Sequence, residues 1–246
     1  MNVAIVTGAS RGLGRALAEG LAGQGWSLVI DGRGAGALDE AAAAIAAGQT
    51  GEGKLRAIPG DITEAFHRQA LVDAALSLGG LDLLVNNAGT LGTSPLPSLA
   101  DYPLDELRVA FEVNVVAPLA LTQAALPALL GSDRPRIVNV TSDAAVEAYE
   151  GWGGYGAGKA ALEHLGAVLA VEFPAVAVWS VDPGDLRTAM HQAAFPGEDI
   201  SDRPEPATVV PAFLDLIGSE RPSGRYRAGE LAAELAAELT GTGAVS

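Results

Sequence analysis

Short apolar runs alternate along this chain with stretches of helical periodicity. Val3–Val6 is a continuous apolar run rich in β-branched residues, which is typical of a buried strand. Leucines at positions 13, 17 and 21 follow at the spacing of one helix face. This alternation continues without a linker and predicts an α/β fold with a mainly parallel sheet. The further predicted strands are Ser27–Asp31, Lys54–Ile58, Leu81–Val85, Arg136–Thr141, Val176–Val181 and Arg225–Arg227.

The length of the chain fits one domain of this class. It has 246 residues, of which 49% are hydrophobic, and this provides ample material for a core. We expect a single domain over residues 1–230. The alanine- and glutamate-rich tail, residues 231–246, is expected to form a short surface helix that frays into Gly241–Ser246.

Charge and hydropathy narrow the possible partners. A formal net charge of −15 argues against nucleic acid and anionic membrane surfaces. The longest apolar stretch, Val115–Leu130, contains Thr122, Gln123 and two prolines, and we expect it to fall short of a bilayer span. No basic-then-apolar signal segment precedes the first strand. We therefore expect a cytoplasmic protein with no nucleic-acid or membrane partner.

Cysteine is absent, which excludes disulfides and thiol catalysis. The three histidines show no spacing suited to a metal site, so we expect no metal. His67 and His164 are interpreted as helix-surface residues. His191 follows the sixth predicted strand and could face a substrate.

A glycine-rich turn lies between the first predicted strand and the first predicted helix. It reads Thr7-Gly8-Ala9-Ser10-Arg11-Gly12-Leu13-Gly14. Backbone amides of such a turn and the helix N-terminus can hold a pyrophosphate. Glycine permits positive φ and lets phosphates approach where a Cβ would clash. The strand–turn–helix context that this motif requires is present, so we predict a dinucleotide site.

Tyr155 and Lys159 are four residues apart, which places both side chains on one face of a helix. A phenol with an ordinary pKa of about 10 is a poor acid or base at pH 7. We expect the Lys159 ammonium to lower the pKa of Tyr155 towards the working range. Ser142, thirteen residues before Tyr155, could hold a carbonyl or alcohol oxygen. Tyr149 has Gly153, not lysine, four residues on, and is excluded as the acid/base.

Further motifs along the chain are Asn86-Asn87-Ala88-Gly89, Asn114 and Pro183-Gly184. Together with the glycine-rich turn, Ser142 and the Tyr155–Lys159 pair, they resemble the motifs of the short-chain dehydrogenase/reductase family in order and spacing. The resemblance covers about residues 2–230. It implies a Rossmann-type three-layer αβα sandwich with a doubly wound, mainly parallel seven-stranded sheet. The residues that carry it are Thr7-Gly8-x3-Gly12-x-Gly14, Asn86-Asn87-Ala88-Gly89, Asn114, Ser142, Tyr155-x3-Lys159 and Pro183-Gly184.

The resemblance also implies the roles of individual residues. Tyr155 would be the general acid/base, Lys159 its partner and a ligand of the nicotinamide ribose, and Ser142 the group that orients the substrate oxygen. Asn114 would bond a main-chain carbonyl and hold a water that links Lys159 to solvent. The implied contacts to NADP(H) are Gly8, Ser10, Arg11, Gly12, Leu13, Gly14, Arg33, Asp61, Ile62, Asn87, Gly89, Tyr155, Lys159, Pro183, Gly184, Leu186 and Thr188.

Two of these assignments have structural alternatives. Asp61 is implied to bind the adenine amino group, but an aspartate before a helix is as often a capping or turn residue, and Thr63 is predicted to cap that helix. Asn114 lies between two valines, and an asparagine among apolar residues must find partners whether or not it is catalytic.

The choice of cofactor depends on the end of the second strand, Asp31-Gly32-Arg33. An acidic side chain there binds the ribose 2′-OH of NAD, whereas an arginine accommodates the 2′-phosphate of NADP. In the family pattern the acidic position falls on Gly32, and Arg33 and Arg11 are typical of members that prefer NADP. We predict NADP(H). A strand shorter by one residue would let Asp31 bind the ribose and favour NAD.

These features predict hydride transfer between NADP(H) and a ketone, aldehyde or secondary alcohol. Three segments should rim the substrate pocket: Thr90–Tyr102, Asp143–Gly154 and Asp185–Pro206. They contribute an apolar and aromatic wall from Tyr149, Trp152, Met190 and Phe195, and the third segment could form a lid. A non-catalytic NADP-binding sensor is the main alternative, and an isomerase or dehydratase on the same scaffold is a third.

The helix from Tyr155 to Phe173 is apolar on nearly all sides. A surface helix normally keeps a polar face, so burial on two sides is expected. Family members commonly pair through this helix and the one that carries Asn114. We therefore expect a homodimer or homotetramer.

Overall fold

The computed structural model describes the backbone of residues 2–241 and the side chains of residues 2–238. Seven parallel strands form one sheet in the order β3-β2-β1-β4-β5-β6-β7. This confirms the predicted Rossmann-type fold. The strands are β1 Val3–Val6, β2 Ser27–Gly32, β3 Leu55–Pro59, β4 Leu83–Asn86, β5 Arg136–Val140, β6 Ala177–Asp182 and β7 Gly224–Arg227.

Helices cover both faces of the sheet. They are α1 Gly12–Gly23, α2 Ala35–Gly48, α3 Ala65–Ser77, α4 Leu104–Phe111, α5 Ala117–Leu129, α6 Gly153–Glu172, α7 Ala189–Ala194, α8 Val210–Gly218 and α9 Ala228–Gly241. A π-helical segment, Glu112–Val116, joins α4 to α5, and two 3₁₀ turns span Asp143–Ala145 and Pro206–Val209.

The apolar strands are explained by a core on each side of the sheet. Successive residues of a strand point to opposite faces, so a strand with both faces covered is apolar throughout. In β1, Ala4 and Val6 pack with α1, α2 and α8, whereas Val3 and Ile5 pack with α3 and α5. This gives the three predicted layers.

The segment that carries Asn114 is longer than the sequence suggested. Helices α4 and α5 and the π-helical segment form a continuous helix of 26 residues, Leu104–Leu129, long and apolar enough to cross a membrane by length and composition. The expectation that this region is too short to span a bilayer was therefore wrong, because the helix that contains it is longer than the apolar stretch considered in the sequence. However, 39% of its most apolar window is buried inside the chain, and core helices of soluble proteins pass the same test.

The C-terminal helix α9 begins at Ala228, three residues before the predicted start of the tail. Ala228 and Leu231 are buried in the core on the α1 side of the sheet, so the helix starts against the domain. The predicted fraying concerns Gly241–Ser246, of which Thr242–Ser246 lie outside the described residues.

The order of the strands determines where a ligand can bind. Strand β1 lies between β2 and β4, and the chain connections run in opposite directions from this point. In open α/β sheets such a switch point opens a crevice at the carboxyl ends of the strands. The glycine-rich turn leaves β1 at this edge, and Asn87 follows β4 there.

Candidate active site

A cleft of about 1060 Å³ lies along the carboxyl ends of the strands. It contains the glycine-rich turn at one end and Ser142, Tyr155 and Lys159 at the other. Every residue predicted to contact the cofactor lines this cleft except Gly14. Residues from the three predicted rim segments also line it, including Tyr149, Trp152, Met190 and Phe195.

The glycine-rich turn has the backbone that a phosphate requires. Gly8 and Gly12 have φ of +67° and +57°, where a side chain would be strained. Gly14 instead provides close packing, because a Cβ on it would lie 2.4 Å from Nδ2 of Asn87 and 2.6 Å from the Gly8 carbonyl oxygen. Arg11 occupies the N-cap position of α1 without a side-chain cap bond. The first amides of α1 therefore remain suitable for an anion, and this part of the cleft fits a pyrophosphate.

Thr7 and Asn87 join the glycine-rich turn to the end of β4. The hydroxyl oxygen of Thr7 accepts bonds of 3.0 Å from the backbone N–H groups of Asn87 and Ala88. Nδ2 of Asn87 donates to the Thr7 carbonyl oxygen at 2.8 Å. Asn87 thus ties neighbouring strands together, and its contact with a cofactor remains a prediction.

At the adenosine end, the backbone of Gly32 approaches the glycine-rich turn closely. A Cβ on Gly32 would lie 2.9 Å from the Cβ of Ser10 and 3.0 Å from its hydroxyl oxygen. Any side chain at position 32, including the acidic one needed for the ribose of NAD, would therefore require Ser10 or the end of β2 to shift. Arg11 and Arg33 are exposed and line the cleft, and neither forms an ion pair within residues 2–238. The sequence analysis missed Arg15 and Arg187, which line the cleft but pair with Glu19 and Glu205.

Asp61 forms a turn with Thr63. One Asp61 carboxylate oxygen accepts bonds from the Thr63 backbone N–H at 2.9 Å and from its hydroxyl at 2.8 Å. The backbone bond, with smaller contributions from the Thr63 hydroxyl and the charge of Arg33, lowers the pKa of Asp61. The predicted cap by Thr63 was wrong, because α3 begins at Ala65 and Glu64 occupies its N-cap. Thr63 is instead held by Asp61.

Asp31 points into the protein. It is 2% exposed, and its Oδ1 accepts a bond of 2.6 Å from the Gly8 backbone N–H. Its Oδ2 lies 3.1 Å from Nε2 of His67. Strand β2 continues through Gly32, so the shorter strand that would have favoured NAD is not formed.

The interpretation of His67 as a surface residue was wrong. His67 is only 2% exposed, whereas His164 is exposed as expected. The buried residues of α3 are His67, Leu71, Val72 and Ala75, which lie on one helix face at spacings of three and four. That spacing was visible in the sequence and would have identified His67 as buried.

Tyr155 and Lys159 both lie in α6 and are buried. Nζ of Lys159 lies 5.6 Å from the centroid of the Tyr155 ring and donates a bond of 2.7 Å to the Val140 carbonyl oxygen. Ser142 follows β5 and caps the 3₁₀ turn, accepting from the Ala144 N–H at 3.2 Å. Its hydroxyl donates to Asp143 Oδ1 at 2.9 Å.

The expected lowering of the Tyr155 pKa does not occur in this structure. Burial, followed by the nearby carboxylates of Asp182 and Asp143, raises the pKa of Tyr155 well above its ordinary value. Burial also lowers the pKa of Lys159 from 10.5 to about 8, against the opposing effect of Glu163. Desolvation is the largest cause of both shifts, and it keeps Tyr155 a neutral phenol at pH 7.

Asn114 lies in the π-helical segment, a feature that is frequent at functional sites and was not predicted. Its Oδ1 accepts from the Thr90 N–H at 2.9 Å, and its Nδ2 donates to the Thr90 carbonyl oxygen at 2.7 Å. Asn114 is 1% exposed and does not line the cleft. It bonds a main-chain carbonyl as the resemblance implied, while its part in a proton path remains a prediction.

The sequence analysis missed a charged network beneath the end of the cleft that holds Ser142 and Tyr155. Arg225 donates to Asp182 at 3.0 Å, to Glu163 at 3.0 Å and to the Ser142 carbonyl oxygen at 3.2 Å. Asp182 also accepts from the Gly184 N–H at 3.0 Å. These bonds fix the backbone at Ser142 and at the Pro183-Gly184 turn. Arg225 was predicted only as part of a short strand, and nothing local to it indicates these distant partners.

The substrate side of the cleft has an aromatic wall. The Trp152 ring lies 5.7 Å from that of Tyr155 and 5.9 Å from that of Phe195. His191 is buried on α7, with its ring 4.9 Å from Phe195. Tyr149 is 48% exposed and donates to Asp143 at 3.0 Å, a bond that is the main reason for its raised pKa. The phenol of Tyr149 is therefore paired with a carboxylate and not with a cation that would lower its pKa, which agrees with its exclusion as the acid/base.

Among the described residues, no cluster of three or more histidine or acidic side chains is arranged to hold a metal ion. The cleft is characterised instead by its glycine-rich turn, its buried Tyr155–Lys159 pair and its aromatic wall.

Comparison with known proteins agrees with this geometry. The family model for short chain dehydrogenases matches residues 2–199. The uncharacterized oxidoreductase YciK of Escherichia coli is 34% identical over 237 residues, covering 89% of this chain and 86% of that protein. Sepiapterin reductase of Rattus norvegicus is 38% identical over 202 residues, covering 78% of this chain and 77% of the reductase.

Solved structures extend the likeness to the fold. A short chain dehydrogenase from Shigella flexneri, in complex with NADP, superposes with a TM-score of 0.85 at 31% identity and covers 93% of this chain and 97% of that one. One from Escherichia coli, in complex with NADPH, has a TM-score of 0.84 at 32% identity, covering 92% and 96%. By family model, relatives and fold, the chain belongs to the short-chain dehydrogenase family of oxidoreductases.

Proposed function

We propose that this protein is an NADP(H)-dependent oxidoreductase that interconverts a ketone or aldehyde and the corresponding alcohol. The observation that carries this proposal is the buried Tyr155–Lys159 pair beside Ser142, in the same cleft as a phosphate-binding turn. The NADP and NADPH complexes of similar dehydrogenases support the choice of cofactor. A relative named for the reduction of sepiapterin supports carbonyl reduction.

The cofactor would lie along the whole cleft. The glycine-rich turn and the N-terminus of α1 would hold the pyrophosphate. Arg11 and Arg33 would meet the 2′-phosphate, and Lys159 would bind the nicotinamide ribose. When bound, the reduced nicotinamide supplies a hydride to the carbonyl carbon and becomes the oxidised form.

The proton step belongs to Tyr155. The raised pKa keeps the phenol protonated at pH 7, so the proton is present, but it also makes the phenol a weaker acid. Transfer would be driven by the negative charge that develops on the carbonyl oxygen as the hydride arrives. The carbonyl oxygen gains this proton as its carbon gains the hydride, and the alcohol forms. The charged Lys159 would stabilise the phenolate that remains until solvent reprotonates it. In the reverse direction the same phenolate accepts the proton of the alcohol.

Ser142 would bind the substrate oxygen. Its hydroxyl now donates to Asp143, so substrate binding requires rotation of the hydroxyl towards the cleft. The wall of Trp152 and Phe195 favours a substrate with an apolar or aromatic part next to the carbonyl. Retention of Asn114, Ser142, Tyr155 and Lys159 favours an enzyme over a non-catalytic NADP-binding sensor.

The test is turnover of NADPH with a panel of ketones and aldehydes that differ in apolar bulk, alongside direct titration of NADPH binding. We expect NADPH binding and NADPH oxidation with at least one carbonyl of modest size. Tight NADPH binding without turnover across the panel would favour the sensor, and absence of NADPH binding would overturn the proposal. We further propose that the enzyme acts in the cytoplasm as a homodimer or homotetramer.

A further inference from the structure

Asp31 and His67 form a buried pair beneath the adenosine end of the cleft. The two side chains are each 2% exposed, and His67 Nε2 lies 3.1 Å from Asp31 Oδ2. The carboxylate can only accept, so Nε2 carries the proton of this bond. The other oxygen of Asp31 accepts from the Gly8 backbone N–H at 2.6 Å. The pair therefore connects α3, the end of β2 and the phosphate-binding turn.

The space around His67 is adapted to its ring. A Cβ on Gly60 would lie 2.2 Å from Nδ1 of His67, so only glycine at position 60 leaves room for the imidazole. Gly60 and Asp31 line the cleft together with Gly32, Arg33 and Asp61. His67 is thus separated from the adenosine end by little more than the Gly60 backbone.

Asp31 stands next to the position that selects the cofactor. Successive residues of a strand point to opposite faces of the sheet, so Asp31 lies on the α3 side whereas Gly32 faces Ser10. A carboxylate that reached the adenosine end would bind a ribose hydroxyl, compete for Arg33 and repel a 2′-phosphate. Without His67, one oxygen of Asp31 would be buried without a partner, which is costly. Because Asp31 already lines the cleft, a carboxylate freed from His67 would turn towards this polar space.

We propose that His67 is a specificity-determining positioning residue for the cofactor. By holding the Asp31 carboxylate against the Gly8 amide, it keeps this charge away from the 2′-phosphate and preserves the preference for NADP(H) over NAD(H). The role goes beyond Arg33 and Arg11, which attract the phosphate, because His67 withdraws a competing carboxylate.

The proposal rests on NADP(H) being the cofactor, and binding measurements separate the two claims. Dissociation constants for NADPH and NADH are measured by fluorescence titration, and those for 2′-AMP and 5′-AMP by calorimetry. The His67→Leu variant removes the donor. We expect the NADPH-to-NADH preference to fall by about tenfold, the scale of one unscreened like charge near the phosphate, with NADH binding unchanged or tighter. The preference for 2′-AMP should fall in parallel.

The second variant tests whether the Asp31 charge causes the effect. Asp31→Asn keeps an acceptor for the Gly8 amide and removes the charge. In the double variant His67→Leu/Asp31→Asn, the preference for NADPH should return to near the wild-type value. His67→Gln retains a hydrogen-bond donor and should keep the preference for NADPH. His164→Leu, on the exposed face of α6, is the matched control. If His67→Leu cannot be purified, His67→Asn, too short to reach Asp31, takes its place.

The possible outcomes are distinct. An unchanged NADPH-to-NADH ratio in His67→Leu overturns the inference, as does an equal loss of both cofactors that Asp31→Asn does not repair, since His67 would then only support the fold. A wild-type protein without preference for NADPH or 2′-AMP overturns the inference together with the proposed cofactor.

Discussion

The ammonium of Lys159 lies 5.6 Å from the centre of the Tyr155 ring and donates its 2.7 Å bond to the Val140 carbonyl oxygen. The lysine is thus fixed to the end of β5 while it faces the phenol. Both groups are buried, which keeps the phenol protonated and brings the pKa of Lys159 to about 8. Tyr155 therefore holds its proton at neutral pH, and Lys159 loses its positive charge in mildly alkaline solution.

Replacement of Tyr155 by phenylalanine removes the proton donor and leaves the ring. We expect cofactor binding to remain close to wild type and turnover to fall by at least about a hundredfold, the scale of a lost general acid. Steady-state kinetics and NADPH titration on the same preparation check this. The control is Tyr226→Phe, which removes a phenol that donates to the Pro222 carbonyl oxygen and does not line the cleft. Near-normal turnover in Tyr155→Phe would contradict the mechanism.

Replacement of Lys159 by methionine should stabilise the protein while it abolishes most activity. The folded pKa of Lys159 is lowered, so the cost of burying the ammonium is fully present below about pH 8 and disappears as the pH rises towards the unfolded value of 10.5. At pH 7 we expect Lys159→Met to raise the free energy of unfolding by about 1–3 kcal/mol.

Urea unfolding at pH 7 and at about pH 10 measures this difference, which should shrink at the higher pH. Lys54→Met, at an exposed position, is the control and should show little change at either pH. Both the activity and the cofactor affinity of Lys159→Met should be low, because one ammonium serves both. A variant less stable than wild type at pH 7 would show that the ammonium stabilises the fold.

Arg33 should account for much of the cofactor preference. A charge-assisted contact to the 2′-phosphate contributes roughly 1.5–3 kcal/mol, or about 10- to 150-fold. Arg33→Ala should therefore remove most of the preference for NADPH and leave the kinetics with NADH little changed. The measurement is kcat/KM for NADPH and for NADH in wild type and variant. It is repeated at low and high salt, because salt screens exposed contacts to a phosphate and should weaken the preference for NADPH. Arg56→Ala, on the exposed face of β3, is the control, and a wild type that prefers NADH would contradict the assignment.

An acidic residue at position 32 should not by itself create an NAD enzyme. The Cβ of Gly32→Asp would lie 2.9 Å from the Ser10 Cβ, so the strand end or the glycine-rich turn must shift. We expect this variant to bind both cofactors poorly. The double variant Gly32→Asp/Ser10→Gly removes the clash and should bind NADH better than the single variant does. Fluorescence titration measures the affinity of both variants for NADH and NADPH. Efficient NADH binding by Gly32→Asp alone would refute the steric argument.

The predicted subunit contact can be tested on α6 and the π-helical segment. Val171 is 82% exposed and Val116 is 46% exposed, on helical segments that pack against each other. We expect the wild type to be a dimer or tetramer and Val171→Asp to weaken the association. Light scattering at micromolar concentration measures this, with Leu76→Asp on α3 as a control at another exposed apolar residue. A monomeric wild type would contradict the prediction.

The sequence alone determined the fold class and the position of the glycine-rich turn, and it indicated which side chains would meet in the cleft. These features depend on local order. A strand followed by a glycine-rich turn and a helix, or a tyrosine four residues before a lysine, predicts its geometry from neighbouring residues. The boundaries of the strands moved by at most two residues, and all of the predicted cofactor contacts except Gly14 line one cleft.

Only the tertiary structure decided what surrounds those residues. Asp31 meets His67, 36 positions away, and Arg225 meets Asp182, 43 positions away, so no local pattern could reveal either pair. The direction of the Tyr155 pKa shift was also decided there, because desolvation depends on packing by the whole fold. Sequence spacing showed that Lys159 would lie near Tyr155, but only the burial of both groups in the fold showed that the pKa of Tyr155 is raised and not lowered.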